Sequence, residues 1–372
     1  MSVPFLDLRR QAQSVGANLP DAVDRVISSG TYLLGPELEL FEQQFALWAG
    51  STFAVGVATG TDAIELALRA LEIGPGDEVV TQATTCVPTV AAIERAGARP
   101  VLCDVDLSTG SLDPESLEGA IGAKTRAIIP VHLYGQCANL QAVAAAAGEI
   151  PVIEDCAQAH GTRLNGRRAG SIGQLGAFSF YPTKNLGALG DAGAVVTDDE
   201  ELANRLRQLR CYGQSERYLH EVAGVNSRLD EIQAAMLNAK LLLLDGWIAR
   251  RREIAGRYLE AFEDSPLSLL RPRPGTEHAF HLFVVRASDR DALRSELETK
   301  GIGTMVHYPL AIHQQPAYRR LGNGPVPLNN SERICSEILS LPLFPELTDD
   351  EVSEVIEAVT LASANLQPLS TD

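Results

Sequence analysis

Residues 178–196 read FSFYPTKNLGALGDAGAVV: two apolar runs separated by a glycine-rich turn that carries one lysine, Lys184. The flanking runs, AFSFYP (177–182) and GAVVTDD (193–199), have the length and unbroken hydrophobicity of strands covered on both faces. Lysine is almost never fully buried without a partner, so an ammonium among Phe178, Phe180, Tyr181 and Leu186 needs a reason. The ordinary reason is a stem lying on apolar surface with its head in water. The other is an amine held ready to form a Schiff base.

Upstream, EVVTQ (78–82), RPVLCDVD (99–106), RAIIPVHLYG (126–135) and PVIEDC (151–156) alternate with alanine- and leucine-rich helical patterns. That alternation predicts an α/β fold with parallel strands and helical crossovers. TDAIELALRALEIGPGDE (61–78) reads as a helix with Ala63, Ile64, Ala67, Leu68 and Leu71 on one face, Thr61 capping it and Gly74-Pro75 stopping it. After residue 200, residues 229–262 read as one long helix able to bridge two domains. HAFHLFVVRA (278–287) and GTMVHYP (303–309) read as strands of a smaller α+β domain, closed by a helix over 349–364. The division expected is a large domain over 1–245 and a small one over 246–372, with a loose tail at NLQPLSTD (365–372).

A net charge of −17 argues against a non-specific hold on nucleic acid or an anionic membrane, so an anionic substrate would need a local basic pocket. The cysteines at 86, 103, 137, 156, 211 and 335 form no C-x-x-C pair and read as reduced core residues of a cytoplasmic protein. No signal-like start and no apolar run approaching about 18 residues is present. No metal site is expected.

In an open parallel sheet, ligands bind beyond the carboxyl ends of the strands. Asp155 ends one run, Ser179 lies near the end of another, and ATGT (58–61) opens the helix at Asp62. Pyridoxal phosphate needs such a set: an amine for its aldehyde, a carboxylate for its ring nitrogen and an anion site for its phosphate. Gly60, Thr61 and Asp62 would offer backbone N–H groups to the phosphate, with the Asp62 carboxylate turned aside. A hydroxyl of Thr61 or Ser179 would complete the cradle. Gln158 could hydrogen-bond the phenolic oxygen, and His160 reads as structural.

With GTDA, EDCAQAHG, SFYPTKNLGALGDAGAVV and GVNSRLDEIQAA in order, the chain resembles the DegT/DnrJ/EryC1/StrS family of nucleotide-sugar aminotransferases, from PFLDLRRQ to HYPLAIHQQPAY. The resemblance implies pyridoxal-phosphate (PLP/PMP) dependence and the aspartate aminotransferase fold, fold type I. It implies a large domain with a mostly parallel mixed sheet between helices and a smaller C-terminal α+β domain. It also implies a homodimer with shared active sites. Lys184 would form the Schiff base, Asp155 pair with the ring nitrogen, Gln158 contact the phenolic oxygen, Ser179 hold phosphate, and Asn226 reach the phosphate of the neighbouring subunit. Relatives that dehydrate sugars carry histidine at the lysine position, so Lys184 favours amino transfer. The family usually places an aromatic ring over the cofactor where TCVPT (85–89) puts Cys86.

The stretch LRCYGQSERYLHEVAGVNSRLDEIQAAML (209–237) looks most like the branch that aminates C-3 of dTDP-linked 3-keto-6-deoxyhexoses. That implies L-glutamate as donor and a dTDP-3-amino-3,6-dideoxyhexose, or a 3,4,6-trideoxy relative, as product. The alternative is C-4 amination of a dTDP-, UDP- or GDP-4-keto-6-deoxysugar. Nucleotide and sugar contacts are expected from Tyr181, His220, His307 and Tyr308. A non-catalytic regulator on the same fold would not need Lys184 or Asp155, and both are present.

Overall fold

In the computed structural model, which describes residues 2–369, the apolar runs form a central sheet. Its strands are β1 (Phe53–Val57), β2 (Glu78–Gln82), β3 (Arg99–Cys103), β4 (Thr125–Ile129) and β5 (Ile153–Asp155). After a short hairpin, β6 (Arg163–Leu164) and β7 (Arg167–Arg168), come β8 (Leu175–Ser179) and β9 (Gly193–Thr197). Strands β3, β2 and β4 pair in parallel. The order β1-β9-β8-β5 continues the sheet, joined to β4 by the parallel bridges Ile128–Val152 and Val131–Asp155. Only β9 runs antiparallel to its neighbours there.

The unbroken hydrophobicity of these strands follows from burial on both faces. Ala177 and Val195 pack with Ile64, Leu68 and Ile93 on one side. Their successors Phe178 and Val196 pack with Phe41, Phe45 and Met236 on the other. The helices that cover the sheet are α1 (Leu8–Val15), α2 (Asn18–Ser29), α3 (Pro36–Ala49), α4 (Gly60–Ala70), α5 (Val87–Arg95), α6 (Pro114–Ala120), α7 (Leu140–Ala147) and α8 (Glu200–Leu209).

Beyond them lie the hairpin β10 (Gln214–Glu216) and β11 (Leu219–His220), then α9 (Glu231–Leu241) and α10 (Leu244–Ala261). The long helix expected over 229–262 is thus two helices. Neither proline nor glycine breaks it. The run Leu241–Leu244 turns instead, burying Leu241 and Leu244 and leaving Leu242 81% exposed. Helix α10 then changes core: Trp247 and Ile248 join the sheet cluster, Ile254 and Tyr258 a second one.

That second cluster is built on the antiparallel strands β12 (Ser268–Leu269), β14 (Phe283–Arg286) and β15 (Ile338–Leu341), with β13 (Thr276–Glu277) pairing back to β6. Helices α11 (Arg290–Thr299), α12 (Asn329–Glu337) and α13 (Asp349–Ser363) complete this part. Val3 from the N-terminal segment also enters the cluster, so residues before 245 help to build it. The strand expected over 303–309 is reduced to one bridge, Met305–Ser340, after which the chain leaves the sheet carrying His307 and Tyr308. In 278–287 only Phe283–Arg286 is strand, because Asn185 and Arg251 take carbonyls of Ala279, Phe280 and His281. The tail expected to be loose extends beyond the described residues, with 370–372 outside them.

Candidate active site

The carboxyl ends of β1, β2, β5 and β8 open on one edge of the sheet, and the loops that follow them carry most of the expected site. Asp155 closes β5 and is buried. Its Oδ1 accepts from the Ala157 N–H at 3.1 Å and its Oδ2 from the Thr89 hydroxyl at 2.8 Å. Burial pushes its carboxyl above the usual range, while those two hydrogen bonds and the charge of Lys184 pull the other way.

Lys184 follows β8 in a tight loop, with its N–H bonded to the Tyr181 carbonyl. Gly187 closes that loop against Pro182: a Cβ there would stand 2.3 Å from the Pro182 oxygen. The Lys184 ammonium has no hydrogen-bond or ion-pair partner among the described residues. Burial lowers its affinity for a proton, and only the charges of Cys86 and Asp155 oppose this. His307 and His160, both near Lys184, are pushed by burial to about 4 and about 3, so neither adds a cation at neutral pH. His160 is wholly buried against Phe178 and Phe180, and neither of its ring nitrogens has a hydrogen-bond partner among the described residues.

Helix α4 begins at the expected anion site. Thr59 caps it, its hydroxyl accepting from the Asp62 N–H at 3.0 Å. This corrects two expectations: Thr61 lies within the first turn, and the Asp62 N–H is taken by the cap. The helix begins two residues earlier than its apolar pattern suggests, so Thr59 rather than Thr61 occupies the extended cap position. It also ends at Ala70, before Gly74-Pro75, with Glu72 in the left-handed region. The Asp62 carboxylate does turn aside, to Ser227 at 2.8 Å and Arg95 at 3.0 Å.

Gly60 brings the start of α4 against Ser179. A Cβ on it would lie 2.5 Å from the Ser179 Cβ, so only glycine lets the start of α4 approach the end of β8. Ser179 Oγ accepts from the Tyr181 N–H, which leaves its own proton to give. A helix N-terminus beside a free hydroxyl is a set of donors without an acceptor, which suits a phosphate.

Gln158 is engaged at both ends: its Oε1 accepts from the Tyr134 N–H and its Nε2 donates to the Tyr308 hydroxyl at 3.2 Å. Tyr308 also faces Cys86, which sits at the N-cap of α5. His307 is fixed from both sides, its Nδ1 against Ser340 Oγ and its carbonyl accepting from the Tyr134 hydroxyl at 2.5 Å. The structure therefore gathers Lys184, Asp155, Cys86, Gln158, His307 and Tyr308. Tyr181 is 52% exposed at the rim. His220 stands apart on an exposed segment, facing the Tyr212 carbonyl, whereas Asn226, exposed and opposite Cys211 in an isolated bridge, directly precedes Ser227, which bonds Ala58 and Asp62 at the start of α4. A groove of about 600 Å³ lined by Gly76, Arg99, Lys124 and Arg320 lies elsewhere and includes none of these residues.

Residues 13–360 match the DegT/DnrJ/EryC1/StrS aminotransferase family. The chain belongs to that family. It is 46% identical over 360 residues to a dTDP-3-amino-3,4,6-trideoxy-alpha-D-glucose transaminase of Streptomyces venezuelae, covering 96% of this chain and 95% of the relative. It is 45% identical to a dTDP-3-amino-3,6-dideoxy-alpha-D-galactopyranose transaminase of Aneurinibacillus thermoaerophilus, covering 96% and 98%. The crystal structure of S. venezuelae DesV in complex with a ketimine intermediate superposes with a TM-score of 0.94 at 46% identity, over 97% of this chain and 98% of that one. The fold is that of the fold-type-I enzymes, and the protein is a pyridoxal-phosphate-dependent aminotransferase of this family.

Several residues of the site were not singled out in the sequence. Thr85 and Thr89 bear on Asp155, Asn185 ties the Lys184 loop to the His160 and Ala279 carbonyls, and Ser227 docks the Asn226 segment on Ala58 and Asp62. The T-x-x-x-T spacing across a loop-to-helix junction was the one signal available for the threonines. Glu154, beside Asp155, accepts from the N–H groups of Gly170, Ile172 and Gly173 and meets His132 Nε2 at 2.8 Å. With Cys156, these side chains could geometrically hold a metal ion, yet His132 Nδ1 accepts from Ala138 and the Glu154 oxygens are filled by backbone donors. That cluster reads as a structural knot behind the site.

Proposed function

We propose that this protein transfers an amino group from L-glutamate to C-3 of a dTDP-linked 3-keto-6-deoxyhexose, giving a dTDP-3-amino-3,6-dideoxyhexose or its 3,4,6-trideoxy relative. It would do so as a homodimer in the cytoplasm. The observation that carries the reading is the meeting of Lys184, Asp155 and the Gly60–Ser179 cradle at one sheet edge. The names of its relatives direct it to dTDP-linked 3-amino sugars.

When bound, pyridoxal phosphate supplies an aldehyde to carry the amino group and a ring that draws electrons from the neighbouring carbon. Lys184 Nζ would hold the cofactor covalently. Once displaced, it is the base placed to move a proton between carbon atoms, and its low proton affinity suits that task. Asp155 would keep the ring nitrogen protonated. The N–H groups of Gly60 and Thr61 and the hydroxyl of Ser179 would hold the phosphate, with Asn226 of the partner subunit completing it.

Cys86 would pack on the ring as a small polarisable group in place of an aromatic one. Tyr181, His220, His307 and Tyr308 would orient the sugar nucleotide. No helix of the described residues is long and apolar enough to cross a membrane. The test is to incubate the holoenzyme with L-glutamate and a panel of ketosugar nucleotides and to locate the new amine by NMR. A C-3 amine on a dTDP-6-deoxyhexose supports the proposal; transfer only to C-4 ketosugars, or to none of the panel, overturns it.

A further inference from the structure

Asp155 does not stand alone behind the site. Thr89, on the first turn of α5, is buried and donates to Asp155 Oδ2 at 2.8 Å. Its proton is committed to the carboxylate, so in the 2.7 Å contact between the two threonine hydroxyls Thr85 must be the donor. The chain of hydrogen bonds therefore has one direction, Thr85 to Thr89 to Asp155, and each link polarises the next.

The local sequence fixes this direction. Cys86 is extended and caps α5, Pro88 pre-sets the first turn, and the Thr89 N–H returns to the Cys86 carbonyl. Thr85 and Thr89 thus face each other across the same turn that presents Cys86. The Ala157 N–H occupies the other oxygen of Asp155. Both oxygens receive a donor, which fixes the rotation of the carboxylate.

We infer that Thr89 is a positioning residue that aims the Asp155 carboxylate and keeps it available to the cofactor's ring nitrogen, and that Thr85 sets the direction of its hydroxyl. This rests on the proposed pairing of Asp155 with that ring.

The test uses Thr89→Val, which keeps the shape and removes the donor, with Thr89→Ser to restore it. Hydrogen bonds to charged groups are worth enough that Thr89→Val should weaken pyridoxal phosphate binding by roughly tenfold to a hundredfold. The acid limb of the pH–rate profile should move to higher pH, since a carboxylate that loses a donor gains affinity for its proton. Thr89→Ser should recover both. Thr85→Val should shift both in the same direction by roughly twofold to fivefold, as expected for a donor one step removed.

Unchanged cofactor affinity and an unmoved pH profile in Thr89→Val would overturn the inference. If Thr89→Val does not fold, Thr85→Val carries the test, and an unmoved profile there overturns it equally. Asp155→Asn separates this inference from the reading beneath it. If that variant binds cofactor and turns over normally, the pairing of Asp155 with the ring is wrong. If it fails while Thr89→Val is silent, only the role of Thr89 is lost.

Discussion

Behind Lys184, Asp155 takes two donors, Glu154 takes three backbone N–H groups and a histidine, and Gln158 is engaged at both ends. Across the segment from 212 to 226 the pattern reverses: Tyr212 is 50% exposed, Tyr218 80% and Leu219 51%, and the hairpin strands are two or three residues long. The difference follows from water. A buried polar group without a partner is costly, so most polar groups of the floor are paired within the chain, with Lys184 and His160 left unpaired among the described residues. A surface segment carries no such demand and can wait for a partner. The floor thus reads as largely paired within the chain, and the rim as the part that the proposed dimer and substrate would complete.

Removing Lys184 tests the floor hardest. Lys184→Ala should lose roughly 10⁵-fold in turnover, as expected when a group acting in a unit is deleted. It should also lose borohydride trapping of the cofactor; normal turnover would end the assignment. Asp155→Asn should fold and lose roughly 10²- to 10³-fold in kcat, the scale for removing one electrostatic stabiliser. Near-normal kcat with full cofactor loading would move the floor's function elsewhere.

A buried lysine also lies outside the proposed chemistry. Lys240 on α9 is 2% exposed, donates to the Gly187 carbonyl at 2.7 Å and to Gln11 at 3.2 Å, and has no carboxylate within ion-pair distance among the described residues. Burial pulls it from 10.5 to about 8, a difference worth up to about 3 kcal/mol. The unfolded chain then binds more protons than the folded one between these two values. The stability of the protein relative to Lys240→Met should therefore rise with pH across that window and be lowest below about pH 8. Denaturant titrations at pH 7 and pH 10 measure this, and a flat difference would mean that Lys240 titrates normally.

The rim gives the smallest effect. Asn226→Ala should weaken cofactor binding by roughly tenfold, the value of a hydrogen bond to a charged acceptor. In exchanged mixtures of Lys184→Ala and Asn226→Ala chains, each mixed dimer would hold one intact site. Measured at cofactor low enough to leave Asn226→Ala sites largely empty, an equal mixture should recover about a quarter of wild-type specific activity if Asn226 serves its partner. No recovery after proven exchange would place Asn226 in its own subunit's site and make the rim as self-contained as the floor.

The strands and the residues at their ends were legible because burial on both faces leaves a continuous apolar run that a polar residue visibly terminates. Asp155 and Ser179 announce themselves in this way. Thr59 serves as the cap where Thr61 was expected, since both hydroxyls in ATGT can cap and only backbone geometry chooses. Residues 303–309 have strand composition, but composition does not distinguish one bridge from a ladder. The split after Leu241 left no breaker in the sequence, because it answers to two cores rather than to a local residue. Thr89 and His132 were hidden by distance: their partners lie 66 and 22 residues away.

Glu154 and Asp155 are neighbours on a strand three residues long, and their carboxylates take opposite assignments because successive side chains leave a strand on opposite faces. The strand has no slack in which to repair a shift. It is registered on β8 as Ile153–Leu175, Glu154–Gly176 and Asp155–Ala177, and a Cβ at Gly176 would meet the Gly170 carbonyl at 2.4 Å. A single inserted or deleted residue between Pro151 and Asp155 would exchange the faces of the two acids in one step, turning Glu154 toward the proposed site and Asp155 toward the scaffold. Libraries that vary the length of this segment should therefore return almost no functional members, while those that vary the length of the exposed hairpin loop at 217–218 should return many.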